Sequence, residues 1–450
     1  MLGLFAPKAK DTFRYDGFSI SRREGSVEVN IDHVDIARTI FLKQTQSRYK
    51  PLVALLRSAV GHRVMIIAEA EPWRKTSEAM KAFFAAAYVT RKYGPVIDAL
   101  AQETFSAIAG ISRKTEPAAC VELDVERVMR RLTCRILGFV LFGHALSVED
   151  AAFAEDCLDR SARVIDDPVL NPVNFLLSAV FKAVRLGDRQ PVLFPRQQRQ
   201  ALSDFMDWLS HRIDCSQADA LEAPLLAALD ARYGALPPGR RRRAICAEYA
   251  MLFIAGIETT AAALTFALAE IANSPALIRR VTDEARSKPG TAQDQISAVF
   301  QETLRRHTIV PTMLRTSARS CPMTAKRKGG RAGADDTDVI IPKGAILRYL
   351  PVLNHMRRSL WKDPYRFRPE RHASLTSEQK KAHQAFGLGP QSCPGRALAT
   401  SEVVAILTSL FQNLDVMPAA LTEAIATERN AVFTVRPLNV RLKVSAAQQL

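Results

Sequence analysis

The first part of the chain alternates apolar and polar residues, as short strands do. The runs "FSISRR" and "SVEVNI" have this period of two and are separated by Glu24 and Gly25. The pattern predicts a small β region. The next run, "IDHVDIARTIFL", places apolar residues three and four positions apart, which predicts a helix with Asp32 as its N-cap.

A long middle part, from about residue 75 to residue 285, has the spacing of helices. The runs that carry it are "SEAMKAFFAAAYVTRKY", "VERVMRRLTCRILGFVLF", "RQALSDFMDWLSHRI" and "APLLAALDARY". Between residues 166 and 196 the spacing weakens, and "DDPVLNPVNFLL" and "DRQPVLFP" together carry four prolines. We expect an irregular lid there.

The longest predicted helix is "RRRRAICAEYAMLFIAGIETTAAALTFALAEIANSP", closed by Pro275. It is apolar nearly all round, so it should run through the core. At 1.5 Å per residue, about thirty residues span roughly 45 Å, the width of a whole domain.

After residue 308 the pattern becomes mixed. "VIIPKGAILRYLPVL" predicts strands around a turn, "WKDPYRFRPERH" is polar and irregular, and "ALATSEVVAILTSLFQNL" predicts a helix. The final run, "FTVRPLNVRLKV", alternates as a hairpin does. With no internal repeat and no clear linker, the order predicts a mainly α (α+β) fold in one domain over residues 1–450.

Composition narrows the class of protein. The chain of 450 residues is 48% apolar and 24% charged, as in a folded, soluble protein. Its seven cysteines are scattered and form no CxxC pair, which favours a reducing compartment over a disulfide framework. The start does not resemble a signal peptide, and no stretch reaches the roughly eighteen apolar residues that span a bilayer. We therefore expect a cytoplasmic protein.

The net charge of +16 is concentrated in places, at "RRRR" (Arg240 to Arg243) and "KRKGGR" (Lys326 to Arg331). Such charge attracts nucleic acid, an anionic membrane or an acidic protein, unless it is only a solvated surface. No zinc finger or aromatic RNA-binding signature accompanies it, so no nucleic-acid partner is expected.

Four short motifs carry candidate chemistry. In "AGIETT", the Thr259 hydroxyl can donate to the Ala255 carbonyl, which together with Gly256 would open a notch in the helix. Beside the notch, a buried Glu258 could move protons. The alternative is a kink without chemistry.

The next two motifs are weak when taken alone. In "ETLR", Glu302 and Arg305 share a helical face, although an ordinary surface ion pair has the same spacing. In "FRPER", proline fixes an extended backbone from which Arg371 could reach a buried carboxylate. The alternative for this motif is a plain turn.

The fourth motif is "FGLGPQSCPGR", a glycine- and proline-rich loop that holds Cys393 ahead of an apolar helix. A thiolate is a good iron ligand, and it favours O–O bond cleavage when it binds a haem iron. The alternative is a turn that contains a buried thiol.

In this order and spacing the four motifs resemble the cytochrome P450 family of haem-thiolate monooxygenases, from about residue 12 to the end of the chain. The family pattern is Phe-Gly-x-Gly-x-x-x-Cys-x-Gly, and "FGLGPQSCPG" matches every fixed position. The resemblance makes Cys393 the metal ligand, as the axial thiolate of heme b (iron protoporphyrin IX). It also places Phe386, Gly387 and Gly395 at the haem.

"AGIETT" matches the oxygen-activation segment of the family. The resemblance makes Glu258 and Thr259 its catalytic acid–alcohol pair and places Ala255 at the haem. The structural Glu-Arg-Arg triad of the family is matched by Glu302, Arg305 and Arg371.

Two further stretches resemble family segments that bind the haem propionates. "EPWRKTSEAMKAFF" supplies Trp73, but Ser77 stands where the family has arginine, so Arg74 or Lys75 would have to compensate. "PTMLR" supplies Arg315 as a propionate ligand.

Two other departures from the family concern the cysteine loop. Gln391 replaces the usual His or Arg, and Pro394 follows the ligand without an N–H. The N-terminus is also short, so we expect the first helix of many members to be missing and the substrate entrance to be more open.

The resemblance implies reduction of O2 by two electrons and two protons, with insertion of one oxygen atom into an organic substrate. No fused reductase domain is expected, so NAD(P)H would act indirectly, through a separate ferredoxin or flavodoxin-type donor. Such donors are usually acidic, which fits the basic charge.

By position, the family's pocket would draw on residues 60–70, the lid, "MLFIAGIETT", residues 309–314 and "AVFTV" (Ala431 to Val435). These stretches are mostly apolar, so we expect a lipophilic substrate such as a terpenoid, steroid, fatty acid or polyketide, and a role in natural product metabolism. The basic, apolar "NPVNFLLSAVFKAVRL" of the lid allows peripheral membrane contact.

Two alternative functions share the haem-thiolate site, and a third lacks it. They are peroxide-driven, rearrangement or C–C coupling chemistry, a haem-based gas or redox sensor, and a basic helical protein without haem.

Overall fold

The computed structural model describes residues 11–23, 26–42, 46–48, 64–114, 120–162, 196–217, 223–287, 294–325, 337–419, 427–429 and 434–447. Within these ranges helices predominate and the strands are short, as the sequence predicted. The chain divides into two compact units. The first comprises Met1–Val53, Val310–Arg366 and Leu375–Cys393, and the second comprises Ala54–Ile309, Phe367–Ser374 and Pro394–Leu450.

The first unit is built on a six-stranded sheet with the strand order β1-β2-β3-β9-β6-β4. Its strands are β1 (Asp11–Tyr15), β2 (Phe18–Arg23), β3 (Ser26–Ile31), β4 (Gln46–Arg48), β6 (Met313–Ser317) and β9 (Ile346–Tyr349). A separate pair is formed by β7 (Cys321–Ala325) and β8 (Thr337–Ile341). The helices of this unit are α1 (Val34–Leu42), α11 (Pro351–His355) and α12 (Ser377–Ala382).

Alternation in the first strands decides which side chains enter the core of this unit. In β2 and β3, Phe18, Val29 and Ile31 are fully or almost fully buried, and they pack with Phe41 of α1 and Leu388. The predicted β region is therefore confirmed. The predicted cap is wrong, because α1 begins at Val34 and the preceding His33 accepts the Asp35 N–H through Nδ1, at 3.3 Å.

The second unit contains most of the helices. They are α2 (Ala70–Lys81), α3 (Gly94–Lys114), α4 (Val125–Phe142), α5 (Val148–Ala162), α6 (Arg196–Gln217), α7 (Pro224–Arg232), α8 (Pro238–Ala272), α9 (Pro275–Arg286), α10 (Asp294–His307) and α13 (Arg396–Asn413). Short helical turns at Ala82–Phe84, Ala86–Tyr88 and Val89–Tyr93 connect α2 to α3.

The strands of the second unit form two small sheets. The first has the order β10 (Leu414–Val416), β13 (Arg441–Ala446), β5 (Val121–Asp124), and the second pairs β11 (Thr427–Arg429) with β12 (Val435–Pro437). The predicted hairpin at the end of the chain is therefore wrong. Its two strands, β12 and β13, pair with other partners, because pairing depends on which distant strand is available and not on alternation alone.

Helix α8 is the core of the second unit, as its apolar composition predicted. It runs unbroken for 35 residues, and most of its side chains from Ala244 onward are buried. By length and mean hydropathy (1.7 over its best window) it is a candidate membrane span among the described residues, which a count of apolar runs did not detect. However, 72% of that window is buried inside the protein, as in the core helix of a soluble protein.

Helix α4 packs along α8, and small residues make the close approach possible. A Cβ placed at Gly256 of α8 would lie 2.7 Å from Cδ1 of Leu137. The Tyr249 hydroxyl donates to the Leu141 carbonyl at 2.7 Å. Helix α4 ends where Gly143 adopts φ +83°, a left-handed conformation suited to glycine.

We expect Gly138→Ala in α4 to destabilise the protein. Its new Cβ would lie 3.0 Å from the Leu146 backbone nitrogen, and still closer to the buried Leu146 side chain. Overpacking of this kind costs about 1–3 kcal/mol, although alanine is the better helix former. The measurement is the free energy of unfolding in urea.

The matched control is Gly110→Ala in α3, where a Cβ would meet no atom within 4 Å. It should stabilise the protein by about 0.5–1 kcal/mol. Equal effects of the two substitutions would contradict the packing described for Gly138.

Candidate functional site

The cysteine loop of the first unit is stiffened by backbone hydrogen bonds and two left-handed glycines. The Cys393 N–H donates to the Phe386 carbonyl at 2.8 Å, and Gly387 and Gly389 have φ values of +84° and +73°. A Cβ at Gly389 would lie 3.2 Å from the Phe41 carbonyl oxygen. With Leu388 anchored in the core, the loop presents an exposed Cys393 on a fixed backbone.

Arg315 of β6 is a half-buried cation on a strand beside this loop. Met313, two residues earlier on the same strand face, has its Cε 3.7 Å from the position of a Gly387 Cβ. Among the described residues, the Arg315 Nε has no hydrogen-bond partner. Nη1 donates to the Leu314 carbonyl at 2.8 Å, and the guanidinium lies 5.8 Å from the Phe41 ring centroid.

Burial lowers the pKa of Arg315, because the charged form is poorly solvated. A half-buried guanidinium whose buried Nε has no partner among the described residues suits an anionic group. An exposed thiol on a stiff loop and such a donor in the same unit are the groups that a haem requires, as a ligand for its iron and a partner for a propionate. The residues present in the first unit therefore fit a haem.

The predicted propionate contacts from α2 lie in the second unit. Trp73 is half-buried. The two cations named as substitutes for the missing arginine at Ser77 are exposed, and the Lys75 ammonium pairs with Glu71 at 2.7 Å. Lys75 is thus engaged on the helix surface. Gly395 lies in the second unit as the residue before α13, with an ordinary φ of −78°.

Thr259 lies in the middle of α8, one turn after Ala255. Its hydroxyl donates to the Ala255 carbonyl at 2.7 Å, as the sequence predicted. Helix α8 is assigned without a break from Pro238 to Ala272, and the notch itself stays a prediction. Gly256 serves as the place where Leu137 of α4 packs against the helix.

Glu258 is not an isolated acid. Nη1 of Arg130, on α4, donates to its Oε1 at 2.6 Å, and both side chains are buried. The same guanidinium donates to Glu155 at 3.2 Å and to Asp159 at 2.7 Å. Burial alone would lower the pKa of Arg130, but the carboxylates around it raise the pKa above its ordinary value. Arg130 therefore stays charged.

This network joins Glu258 to the edge of the unit, since the Asp159 side chain is 39% exposed. The sequence analysis missed Arg130. A signal was present, because Arg130 lies one helical turn from the buried Thr133 and Cys134 on the apolar face of α4. A charge on such a face indicates a buried partner.

The predicted triad is confirmed as a mutually paired cluster, in which Glu302 and Arg305 are fully buried and Arg371 is partly buried. Arg305 donates to both carboxylate oxygens of Glu302 at 2.8 Å, and Arg371 donates to Oε1 at 3.1 Å. Two donors were not predicted, the Arg368 N–H at 2.9 Å and His372 Nε2 at 2.9 Å from the carboxylate. Burial would raise the pKa of Glu302, but the bonds from Arg305 and His372 lower it to about 2.

A second buried carboxyl group, Glu402 of α13, was also missed. It is 1% exposed and hydrogen-bonds with Thr260 of α8. Among the described residues its Oε1 has no partner. Burial raises the pKa of Glu402 to about 8, so it is neutral at pH 7.

The basic clusters divide into two cases. Within "RRRR", Arg241 pairs with Asp230 at 3.2 Å and Arg242 pairs with Asp214, so part of that charge is satisfied inside the unit. Three predicted features lie outside the described residues: "KRKGGR", residues 166–195 of the predicted lid with its proposed membrane contact, and residues 431–433.

A mainly helical chain that presents one cysteine on a stiff glycine loop ahead of a core helix has the construction of a haem-thiolate protein. The family model "Cytochrome P450" matches residues 15–444. The chain therefore belongs to the cytochrome P450 family.

Curated relatives agree with this assignment. The chain is 32% identical to "Cytochrome P450 52A3-A" of Candida maltosa over 184 residues, covering 36% of this chain and 34% of that protein. It is 31% identical to "Steroid 21-hydroxylase" of Canis lupus over 214 residues, covering 44% and 40%. Over 436 residues, 90% of this chain and 79% of the relative, it is 21% identical to "Cytochrome P450 3A12" of Canis lupus familiaris. The chain spans about a third (33–34%) of the length of the first curated relatives that it matches.

We expect Glu302→Ala to cost about 3–5 kcal/mol, because it leaves Arg305 buried without its carboxylate. Little haem-loaded protein should be recovered. Since the pKa of Glu302 is lowered, its stabilisation is present above about pH 4.5 and is lost as pH falls toward 2. The measurements are haem content and the free energy of unfolding against pH.

The control is Glu370→Ala, which removes a half-exposed ion pair with Arg280 of α9; Glu370 lies in the same turn as Arg371 of the triad. That pair is worth at most about 1 kcal/mol. Full haem content and normal stability in Glu302→Ala would show that the triad is dispensable.

Proposed function

We propose that this chain is a haem-thiolate monooxygenase. It inserts one oxygen atom from O2 into a lipophilic small molecule, with electrons that originate from NAD(P)H and arrive through a separate ferredoxin- or flavodoxin-type protein. The observation that carries the proposal is the stiff loop that presents Cys393 in the same unit as Arg315, whose Nε has no partner among the described residues. The scattered cysteines, none of them in a CxxC pair, support a cytoplasmic location as part of the proposal.

Three residues of the first unit have a defined role in this proposal. Cys393 supplies the thiolate, and the bond from its own N–H to Phe386 keeps its backbone from moving. Arg315 binds a propionate, which satisfies its Nε. Gly387 gives the loop a left-handed turn that a side chain would strain. When bound, a thiolate-ligated haem supplies the O–O bond cleavage that side chains cannot perform.

In this proposal Thr259 and Glu258 of the second unit take part in proton transfer. The Thr259 hydroxyl donates a hydrogen bond to the Ala255 carbonyl. Because a hydroxyl can rotate, it could instead donate that bond to a molecule bound beside the helix. Glu258 must exchange its bond with Arg130 to pass a proton on. Arg130 stays charged and so does not relay the proton itself, but it also binds the partly exposed Asp159, so the cluster that holds Glu258 extends to the edge of the unit.

The proposal extends to substrate chemistry. A terpenoid, steroid, fatty acid or polyketide is supported by the apolar side chains of α8 before Glu258. One relative, a steroid 21-hydroxylase, supports the same class of substrate. A screen of lipophilic compounds for the low-to-high-spin Soret shift identifies ligands directly.

Cys393→Ala should abolish the thiolate signature of the reduced CO spectrum, because the iron loses its sulfur ligand. Cys246→Ala, a buried cysteine of α8, is the control and should keep the signature with a small loss of stability. An unchanged CO band in Cys393→Ala would overturn the proposal as a whole.

Thr259→Ala should leave folding, haem content and substrate binding nearly intact but separate NAD(P)H consumption from product formation. The reason is that the hydroxyl that directs proton transfer is gone. The measurement is the ratio of product to NAD(P)H consumed with a surrogate reductase. We expect this ratio to fall several-fold, with peroxide released in place of product.

The matched control is Thr265→Ala, because the Thr265 hydroxyl makes the same bond to the carbonyl four residues earlier, at 2.8 Å. It should keep the wild-type ratio. Glu258→Gln should instead slow consumption and product formation together, by about 10²-fold or more. If Thr259→Ala keeps its coupling, the hydroxyl has only a structural role.

A further inference from the structure

A short turn precedes α2 and is held under backbone strain. The N–H groups of Ile67 and Ala68 donate to the Val64 carbonyl at 2.9 and 2.8 Å, and these three side chains are buried. The chain then enters α2 through Ala70 at φ +49°, a left-handed conformation that is rare for alanine. Strain of this kind persists only where other contacts fix the backbone.

Glu248 of α8 supplies such a contact from a distant part of the chain. Its side chain is buried, and the Met65 N–H lies 3.0 Å from each of its carboxylate oxygens. The Tyr233 hydroxyl donates to Oε1 at 2.7 Å. The carboxyl group therefore joins the turn to α8 and to the end of α7.

The charged and titratable groups that act on Glu248 are Arg232 and Tyr233, both at the end of α7. The Arg232 guanidinium lies 5.0 Å from the Tyr233 ring centroid. Burial raises the pKa of Glu248 to about 7, against the opposing effects of the Met65 N–H, Tyr233 and Arg232. In an open turn, hydrated by water, the carboxyl would titrate near its ordinary value of 4.5.

We propose that Glu248 is a positioning residue whose carboxyl group fixes the Val64–Ala68 turn. By doing so it sets residues 64–70, the described part of the pocket wall expected at residues 60–70, and the start of the helix that carries Trp73. The role at the pocket rests on the proposed function, whereas the hold on the turn rests on the contacts alone. The role of Glu248 is separate from the proton network described above. In that network Arg130 bonds to Glu258, which lies ten residues further along α8.

The proposal sets the sign of a pH effect. The closed turn binds the Glu248 proton more tightly than the open turn does, so protons favour the closed form. Closure is therefore complete at low pH, and opening becomes easier as pH rises from about 4.5 through about 7. Removing the titrating group should remove this dependence.

The test is amide hydrogen exchange across residues 64–73 of the haem-loaded protein, expressed as protection factors at pH 6 and pH 8. The variants are Glu248→Ala, Glu248→Gln and Tyr233→Phe. Tyr249→Phe is the matched control, since it also removes a buried hydroxyl with a 2.7 Å bond, but one directed at Leu141.

In Glu248→Ala we expect protection of the turn to fall by about tenfold or more, relative to α8, because a bond to a carboxylate is lost. Tyr233→Phe should lower it less, and Tyr249→Phe should not lower it at all. Wild-type protection should be greater at pH 6 than at pH 8, and Glu248→Gln should show no such difference.

Unchanged protection of the turn in Glu248→Ala would overturn the proposal, as would an equal loss across the whole second unit. If Glu248→Ala does not fold, the other two variants test the proposal. Unchanged protection of the turn in Tyr233→Phe, or an unchanged pH dependence in Glu248→Gln, would then overturn it. Exchange needs no substrate or turnover, so failure of the monooxygenase proposal would leave this result standing. Where a substrate is known, the altered wall should raise KM by more than it lowers kcat.

Discussion

A helix that is buried on nearly every side cannot leave a polar side chain without a partner, and α8 carries several. Thr259 and Thr265 bond to carbonyls of α8 itself, but four other polar side chains are met by groups from other parts of the chain, so the position of α8 determines the position of several neighbours. The pairs are Glu248 with the Met65 N–H and Tyr233, Glu258 with Arg130, Thr260 with Glu402, and Glu270 with His307. The arrangement of the second unit therefore depends on the hydrogen-bond partners of α8 as much as on its apolar contacts.

The sequence was sufficient to predict the elements whose signal is local. Helices α4 and α13 lie where their spacing predicted, and α8 is the buried core helix that its composition indicated. It was not sufficient for features that depend on a distant partner. The terminal alternation predicted a hairpin, yet β13 pairs with β10 and β5, which no local pattern could specify.

The candidate site shows the same difference between residues with a local sequence signal and residues that depend on a distant partner. Cys393 and the triad were found from motifs, because a loop or a turn that must hold one geometry has a recognisable sequence. Arg130, His372 and Glu402 were missed, because nothing in a single helix or turn states which buried group lies opposite. A charge on an apolar face was the available signal, and it indicates the need for a partner without identifying it.

The distances along the chain between these partners bear on how the protein folds. Glu248 and Met65 are 183 residues apart, and Glu258 and Arg130 are 128 apart. Contacts of such high sequence separation form late, because the intervening loop must first be closed. During synthesis, Met65 and Arg130 leave the ribosome well before α8 does. The polar groups of these early segments therefore lack their native partners until α8 has been synthesised. The core of the second unit can be completed only after that point.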